Sequence, residues 1–397
     1  MIHNRLRSGD PSDSAPERTN GRLLRLGEAM AAANDDDRPW LITGGAGFIG
    51  TNLADRLVRL GRRVILYDNL SRPGVQRNAD YLLRQHGERV QIEVGDILDE
   101  AGVRRCVQRC GRVFHFAAQV AVTSSVADPI HDFEVNARGT LNVLEAVRRC
   151  SEPPPLLFTS TNKVYGDLRR MSLVADGSRY EPADRFAAAG GVDEQALDFH
   201  SPYGCSKGAA DQYVLDYAHT YGLRNVVFRM SCIYGPHQCG NEDQGWVAHF
   251  LIRALCGEPI TIYGDGRQVR DLLYAADLID AMLMAHAKIE DLSGRAFNIG
   301  GGAVNSISLL ELLDLIENIH GEPLDVRYGD WRVGDQRYYV SSTARFREAT
   351  GWVPAVCVRR GVGRLYEWLR EHHLPAARPL PAVDERPRGL QERRVAS

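Results

Sequence analysis

Residues 40–50 read Trp-Leu-Ile-Thr and then Gly44-Gly45-Ala46-Gly47-Phe48-Ile49-Gly50, and no other stretch of the 397-residue chain limits its fold so narrowly. A short apolar run stops at Gly44, Gly47 and Gly50, spaced three apart. Apolar residues at helical spacing follow at Phe48, Ile49, Leu53, Leu57 and Leu60. A strand that turns on glycine straight into a helix opens a βαβ unit. The first glycine permits the tight turn, the second lets the backbone approach a pyrophosphate, and the third lets helix and strand pack closely. The helix N-terminus adds unpaired N–H groups and positive potential.

The pattern repeats downstream. Apolar runs at residues 63–67, 90–94, 113–116, 156–158 and 226–229 read as strands, and residues 100–110, 133–149 and 202–221 read as helices. Strands that alternate with helices predict an α/β fold, a doubly wound parallel Rossmann sheet with helices on both faces. After Gly235 short strands, loops and helices mix, which predicts a smaller mixed α/β substrate-binding domain. The expected organisation is a polar, flexible extension over 1–37, a dinucleotide-binding domain over 38–235, a substrate domain over 236–374 with 258–300 returning in part to the first, and a disordered Pro- and Arg-rich tail over 375–397.

Composition excludes several classes. A hydrophobic content of 44% supports substantial cores, and a net charge of −3 argues against a nucleic-acid or membrane-surface binder. No stretch approaches the ~20 apolar residues of a membrane span, and the N-terminus lacks an apolar signal core. The eight cysteines form no Cys-x-x-Cys pair; Cys106 and Cys110 lack a completing set, so no metal site is expected. Reduced thiols point to the cytoplasm.

Asp68 ends the second strand, where a carboxylate accepts both ribose hydroxyls of NAD and repels a 2′-phosphate. Arg72 is either a 2′-phosphate partner or a solvated loop cation. Asp96 either reaches the adenine edge or is a turn residue. Tyr203 and Lys207, an i, i+4 pair, share a helix face. An ammonium there is expected to lower the phenol pKa, as is the positive nicotinamide of an oxidised cofactor. The phenolate then takes a proton from a carbinol while its carbon loses hydride, and Thr161 at the end of the fifth strand fixes the same oxygen.

The segments GGAGFIG (44–50), YDNLSRPG (67–74), HFAAQ (115–119), NARGT (136–140), STNKVYG (160–166), YGCSK (203–207), YGDGRQVRD (263–271) and WRVGDQ (331–336) resemble, in this order, the extended short-chain dehydrogenase/reductase family over residues 39–370. Within it, TSTNKVYGDL, FHSPYGCSKGAADQYVLDYA and RMSCIYGPHQ are most similar to the nucleotide-sugar 2-epimerases that act on CDP-paratose and CDP-tyvelose. The resemblance implies tightly bound NAD held by Gly44, Gly47, Phe48, Ile49, Asp68, Asn69, Ser71, Arg72, Asp96, Ile97, Ala117, Ala118, Gln119, Asn136, Thr159, Tyr203 and Lys207. It implies catalysis by Thr161, Tyr203 and Lys207. Arg270 and Arg332 would clamp the substrate pyrophosphate, with Asp335 and Asp271 orienting them or accepting from ribose, and Thr123, Ser124, Asn162, Gln244 and Trp246 would line the sugar. His237 reads as a loop histidine.

The implied reaction oxidises C2 to a ketone, turns the ketosugar, and returns hydride from NADH to the other face. The 4,6-dehydratases of the family use an Asp-Glu pair where this chain has Asn162-Lys163, and 4-epimerases often carry Lys where it has Gln119. A 4-epimerase, decarboxylase or reductase on another sugar nucleotide, or a non-catalytic dinucleotide-binding protein, are the alternatives. Relatives dimerise through helices matching 133–149 and 202–221, which makes a homodimer the expectation.

Overall fold

The structure, a computed structural model, describes residues 37–168, 171–183, 195–332 and 335–372. The expected extension, apart from Asp37, and the expected tail lie outside the described residues.

Seven parallel strands form the central sheet: β1 (Trp40–Thr43), β2 (Val64–Asp68), β3 (Val90–Val94), β4 (Arg112–His115), β5 (Leu156–Thr161), β6 (Asn225–Met230) and β7 (Arg295–Ile299). Their order is β7-β6-β5-β4-β1-β2-β3. The chain leaves β1 toward β2 on one side, while β4 pairs on the other. Loops after β1 and β4 therefore diverge, and a crevice opens at their carboxyl ends.

Successive side chains of each strand feed opposite layers. Trp40, Ile42, Phe114, Phe228 and Phe297 enter one core with Leu53 and Leu57 of helix α1 (Phe48–Arg59). Leu41, Ile65, Val113, Phe158 and Val227 enter the other with Val143, Val147 and Val214. Both faces are covered, which is why these strands read as continuous apolar runs. A third core, with Phe250, Ile260, Ile262, Leu312 and Leu365, fills the smaller α/β layer. There Ile260–Tyr263 pairs with Val326–Gly329, and Val269–Tyr274 pairs with Cys232–Tyr234, Ser306–Ser308 and Tyr338–Tyr339. Among the described residues no helix is long and apolar enough to cross a membrane.

Two elements differ from the sequence expectation. β5 runs three residues past Phe158, because polar Thr159, Ser160 and Thr161 stay in register with Phe228, Arg229 and Met230. The helix expected over 133–149 is three pieces: Pro129–Phe133, a π-turn at Glu134–Arg138, and Gly139–Arg148.

Helix α2 (Ser201–Tyr221) starts with Pro202 in its first turn and ends at Gly222 in a left-handed conformation. It is anchored to the sheet by a buried ion pair. Arg229 of β6 donates to both Asp211 oxygens at 2.9 and 2.8 Å, and to the Tyr165 hydroxyl at 3.2 Å. Breaking such a pair strands a buried charge and costs about 3–5 kcal/mol. Arg229→Met is expected to lose that much unfolding free energy in denaturant titration. Pairing it with Asp211→Asn should recover part of the loss; no recovery would mean that the pair does not anchor the helix.

Candidate active site

A cavity of about 660 Å³ occupies the crevice, running from the glycine turn past the end of β5 to the smaller layer. Its first half is built by the turn. Gly44 has φ +67°, and a Cβ there would lie 2.7 Å from the Ala117 nitrogen. A Cβ on Gly50 would lie 2.6 Å from the Gly44 oxygen. Helix α1 begins with no side chain capping it, and Gly47, Phe48 and Ile49 line the cavity at that end. These are the features that accommodate a dinucleotide pyrophosphate.

Asp68 accepts from Ala46 N at 3.0 Å and Leu70 N at 2.9 Å, so its carboxylate also braces the turn. Arg72 lines the cavity; burial pulls its pKa down, opposed by Cys239, Asp68 and Tyr203. Asn69 donates to Asp96 at 2.9 Å and accepts from the Ser71 hydroxyl at 2.8 Å, a chain of contacts outside the cavity wall. Ile97 is buried against Gly139. Ala117 N reaches the Thr43 hydroxyl at 3.2 Å, and Ala118 lines the cavity. The Gln119 side chain is turned onto its own loop, bonded to Ala121 at 2.9 and 2.6 Å. Asn136 is buried, accepting from Gln119 N at 2.9 Å and donating to Asp132 and Ser206. Ser206 stands between Tyr203 and Lys207 and donates to the buried Asp132 at 2.5 Å, which joins α2 to the loop after β4.

Thr161, Tyr203 and Lys207 meet at the middle of the cavity. The Lys207 ammonium donates to the Thr159 carbonyl at 2.7 Å and lies 4.1 Å from the Phe158 ring. Burial lowers its pKa to about 7, against the opposing pull of Asp211 and Asp132. Burial pushes the Tyr203 phenol up to about 12; a hydrogen bond from Thr161 and the charge of Arg72 pull it back, while Asp132 pushes it further. Lys207 and an oxidised nicotinamide are expected to lower the phenol pKa; in the structure burial is the largest influence on Tyr203 and acts the other way. Both groups are withdrawn from water, and desolvation is the largest influence on each.

In the other half, Asn162 donates to Gln336 at 3.2 Å and Lys163 lines the wall. Arg270 donates to Asp335 at 2.7 Å. Arg332 donates to the Glu242 carbonyl at 2.9 Å, and its guanidinium lies 3.9 Å from the Tyr263 ring centroid. Gln244, Trp246 and Thr123 line the cavity; Ser124 is exposed and outside its wall. Asp271 does not orient the arginines: it is buried, accepting from Ser231 and from Gly302 N at 2.9 Å. His237 lines the cavity with its ring packed near Tyr81 and Trp368, and burial lowers its pKa to about 4. Sequence reading missed Asp132, Ser206, Glu242, Asp243, Cys239 and Tyr263. Only Ser206, inside the YGCSK run, and Tyr263, at the head of YGDGRQVRD, carried any local signal. Among the described residues no cluster could hold a metal ion.

The sheet order, the glycine turn at its switch point and the Tyr203–Lys207 pair define a Rossmann-type dinucleotide-dependent enzyme class. The chain belongs to the NAD dependent epimerase/dehydratase family, whose model matches residues 40–300. It is 44% identical over 338 residues to the CDP-paratose 2-epimerase of Salmonella typhi, covering 83% of this chain and 98% of that protein. It is also similar to the UDP-glucose 4-epimerase of Thermotoga maritima solved with UDP-glucose, at 32% identity and TM-score 0.70 over 84% of this chain and 99% of that one. The UDP-glucuronic acid 4-epimerase of Bacillus cereus, solved with UDP-glucuronic acid and NAD, matches at 25% identity and TM-score 0.72 over 84% and 99%.

In the cofactor-free protein, Tyr203 is expected to ionise only near pH 12, read as the phenolate absorbance missing from Tyr203→Phe. Saturation with oxidised NAD should move that component to lower pH, because a nearby positive charge favours the phenolate. A phenol that titrates near neutrality without cofactor would contradict the burial argument.

Proposed function

We propose that the protein is an NAD-dependent nucleotide-sugar epimerase that inverts C2 of a CDP-linked sugar. The observation that carries this reading is the convergence of Thr161, Tyr203 and Lys207 on one cavity that also holds Asn162 and Lys163. The first three suit reversible oxidation of a carbinol. The last two replace the Asp-Glu pair with which the related dehydratases eliminate water. The 44% identity to a CDP-paratose 2-epimerase supports the choice of carbon and nucleotide.

Tightly bound NAD supplies the hydride acceptor and donor. Gly44, Gly47 and the open end of α1 hold its pyrophosphate, Asp68 the adenosine ribose, and Lys207 the nicotinamide ribose. Thr161 holds the C2 oxygen. Tyr203 takes the hydroxyl proton as the C2 ketone forms and returns it after the sugar has turned. Arg270, braced by Asp335, anchors the diphosphate during that turn, and Arg332 is the second clamp. We assign residues 38–235 with β7 to the cofactor domain and 236–374 otherwise to the substrate domain.

A homodimer is proposed on the face carrying exposed Ile130, Phe133 and Tyr213. Eight free cysteines support a reducing, cytoplasmic setting.

The test incubates purified protein with CDP-, UDP-, GDP- and dTDP-sugars without added cofactor. Inversion at C2 of a CDP-sugar with no net NADH supports the reading; stoichiometric NADH consumption would replace it with a reductase. Tyr203→Phe should lose about 10²- to 10⁴-fold in kcat with NAD still bound. Undiminished turnover would remove Tyr203 from the mechanism.

A further inference from the structure

Among 48 basic side chains the chain has only three lysines, Lys163, Lys207 and Lys288. Lys288 is exposed and donates to the Ala349 carbonyl at 2.8 Å. The other two line the same cavity. Arginine serves almost everywhere that a cation meets solvent, so a lysine inside an enclosed site marks a place where guanidinium is the wrong shape. An ammonium is a compact point charge that can gain and lose a proton; a guanidinium is a planar fork that cannot. Lys207 meets that description beside Tyr203. Lys163 calls for its own explanation.

Lys163 follows Thr161 and Asn162 in the short 3₁₀ turn that leaves β5, so the sheet itself sets its position. The charged and titratable groups that act on Lys163 most are Arg270, Asp335, Cys232 and Asp167. Burial brings its pKa to about 8, Arg270 acts in the same direction, and Asp335 opposes. The Cys232 thiol is pushed upward by burial and stays protonated in this range. Two cations, Lys163 and Arg270, thus line the cavity together with Asp335, which accepts from Arg270 at 2.7 Å. That arrangement fits an anion with several oxygens.

The geometry points to Lys163 as a substrate-binding residue that, with Arg270, holds the diphosphate of the nucleotide sugar at the end next to the sugar. This rests on the reading of the cavity as a nucleotide-sugar site. A compact charge there lets the phosphate oxygens shift while the sugar turns, which a rigid fork would resist.

The probes are CDP, CMP and cytidine, measured by calorimetry on NAD-loaded protein. Lys163→Met is expected to weaken CDP binding by about 10- to 100-fold, the loss of one charge-assisted contact, and to leave cytidine unchanged. Lys163→Arg should recover only part of the loss. In the wild type, CDP affinity should fall above about pH 8 as Lys163 loses its proton, and Lys163→Met should lack that slope. Lysine-labelled NMR resolves three ammonium signals, and CDP, not cytidine, should raise the titration midpoint of the one missing from Lys163→Met.

Equal CDP affinity in wild type and Lys163→Met, or an unmoved Lys163 midpoint, overturns the assignment, as does a loss of kcat in Lys163→Met with CDP binding intact. Failure of the wild type to bind CDP, UDP, GDP or dTDP would instead sink the nucleotide-sugar reading, and the Lys163 assignment with it.

Discussion

Withdrawal of Tyr203 and Lys207 from water sets the terms on which this site works. Burial pushes the phenol up to about 12 and the ammonium down to about 7, each toward its neutral form. A pair in that condition is a poor base. A positive charge placed beside the phenol without water would draw its pKa down.

The rest of the fold keeps that pair in place. Asp211 lies one turn beyond Lys207, but its carboxylate is engaged by Arg229 of β6. Asp132 reaches the same turn of α2 through Ser206, and Asn136 ties both to the loop that follows β4. The π-turn at Glu134–Arg138 brings Asn136 into this contact, consistent with the frequency of such bulges at functional sites. One buried polar network therefore spans the loop after β4 and helix α2. Such networks fix geometry when fully satisfied.

The other half of the cavity follows a different logic. Arg270 is held by Asp335 and lines the cavity with Lys163, while Arg332 engages the turn at Glu242 and packs on Tyr263. Asn162 is bonded to Gln336, which itself donates to the Gly166 carbonyl, and so the end of β5 is joined to the segment that carries Arg332 and Asp335. Movement of that segment would be felt directly at Thr161.

Local chemistry written into contiguous residues was legible in the chain itself: the Gly44–Gly50 turn, the strand–helix alternation, Asp68 at a strand end and the four-residue spacing of Tyr203 and Lys207. Each depends on neighbours a few positions away, where backbone geometry alone sets the outcome. What depended on distant segments was not legible. The polar end of β5 is a strand because β6 pairs with it. Asp132 matters because Ser206, 74 residues on, folds against it. Asp271 becomes a structural carboxylate because Ser231 and Gly302 enclose it. Above all, the sign of the Tyr203 shift was decided by tertiary structure. The residue types predict an acidified phenol, but only packing determines how much water is removed, and at this site desolvation exceeds the pull of the neighbouring charges.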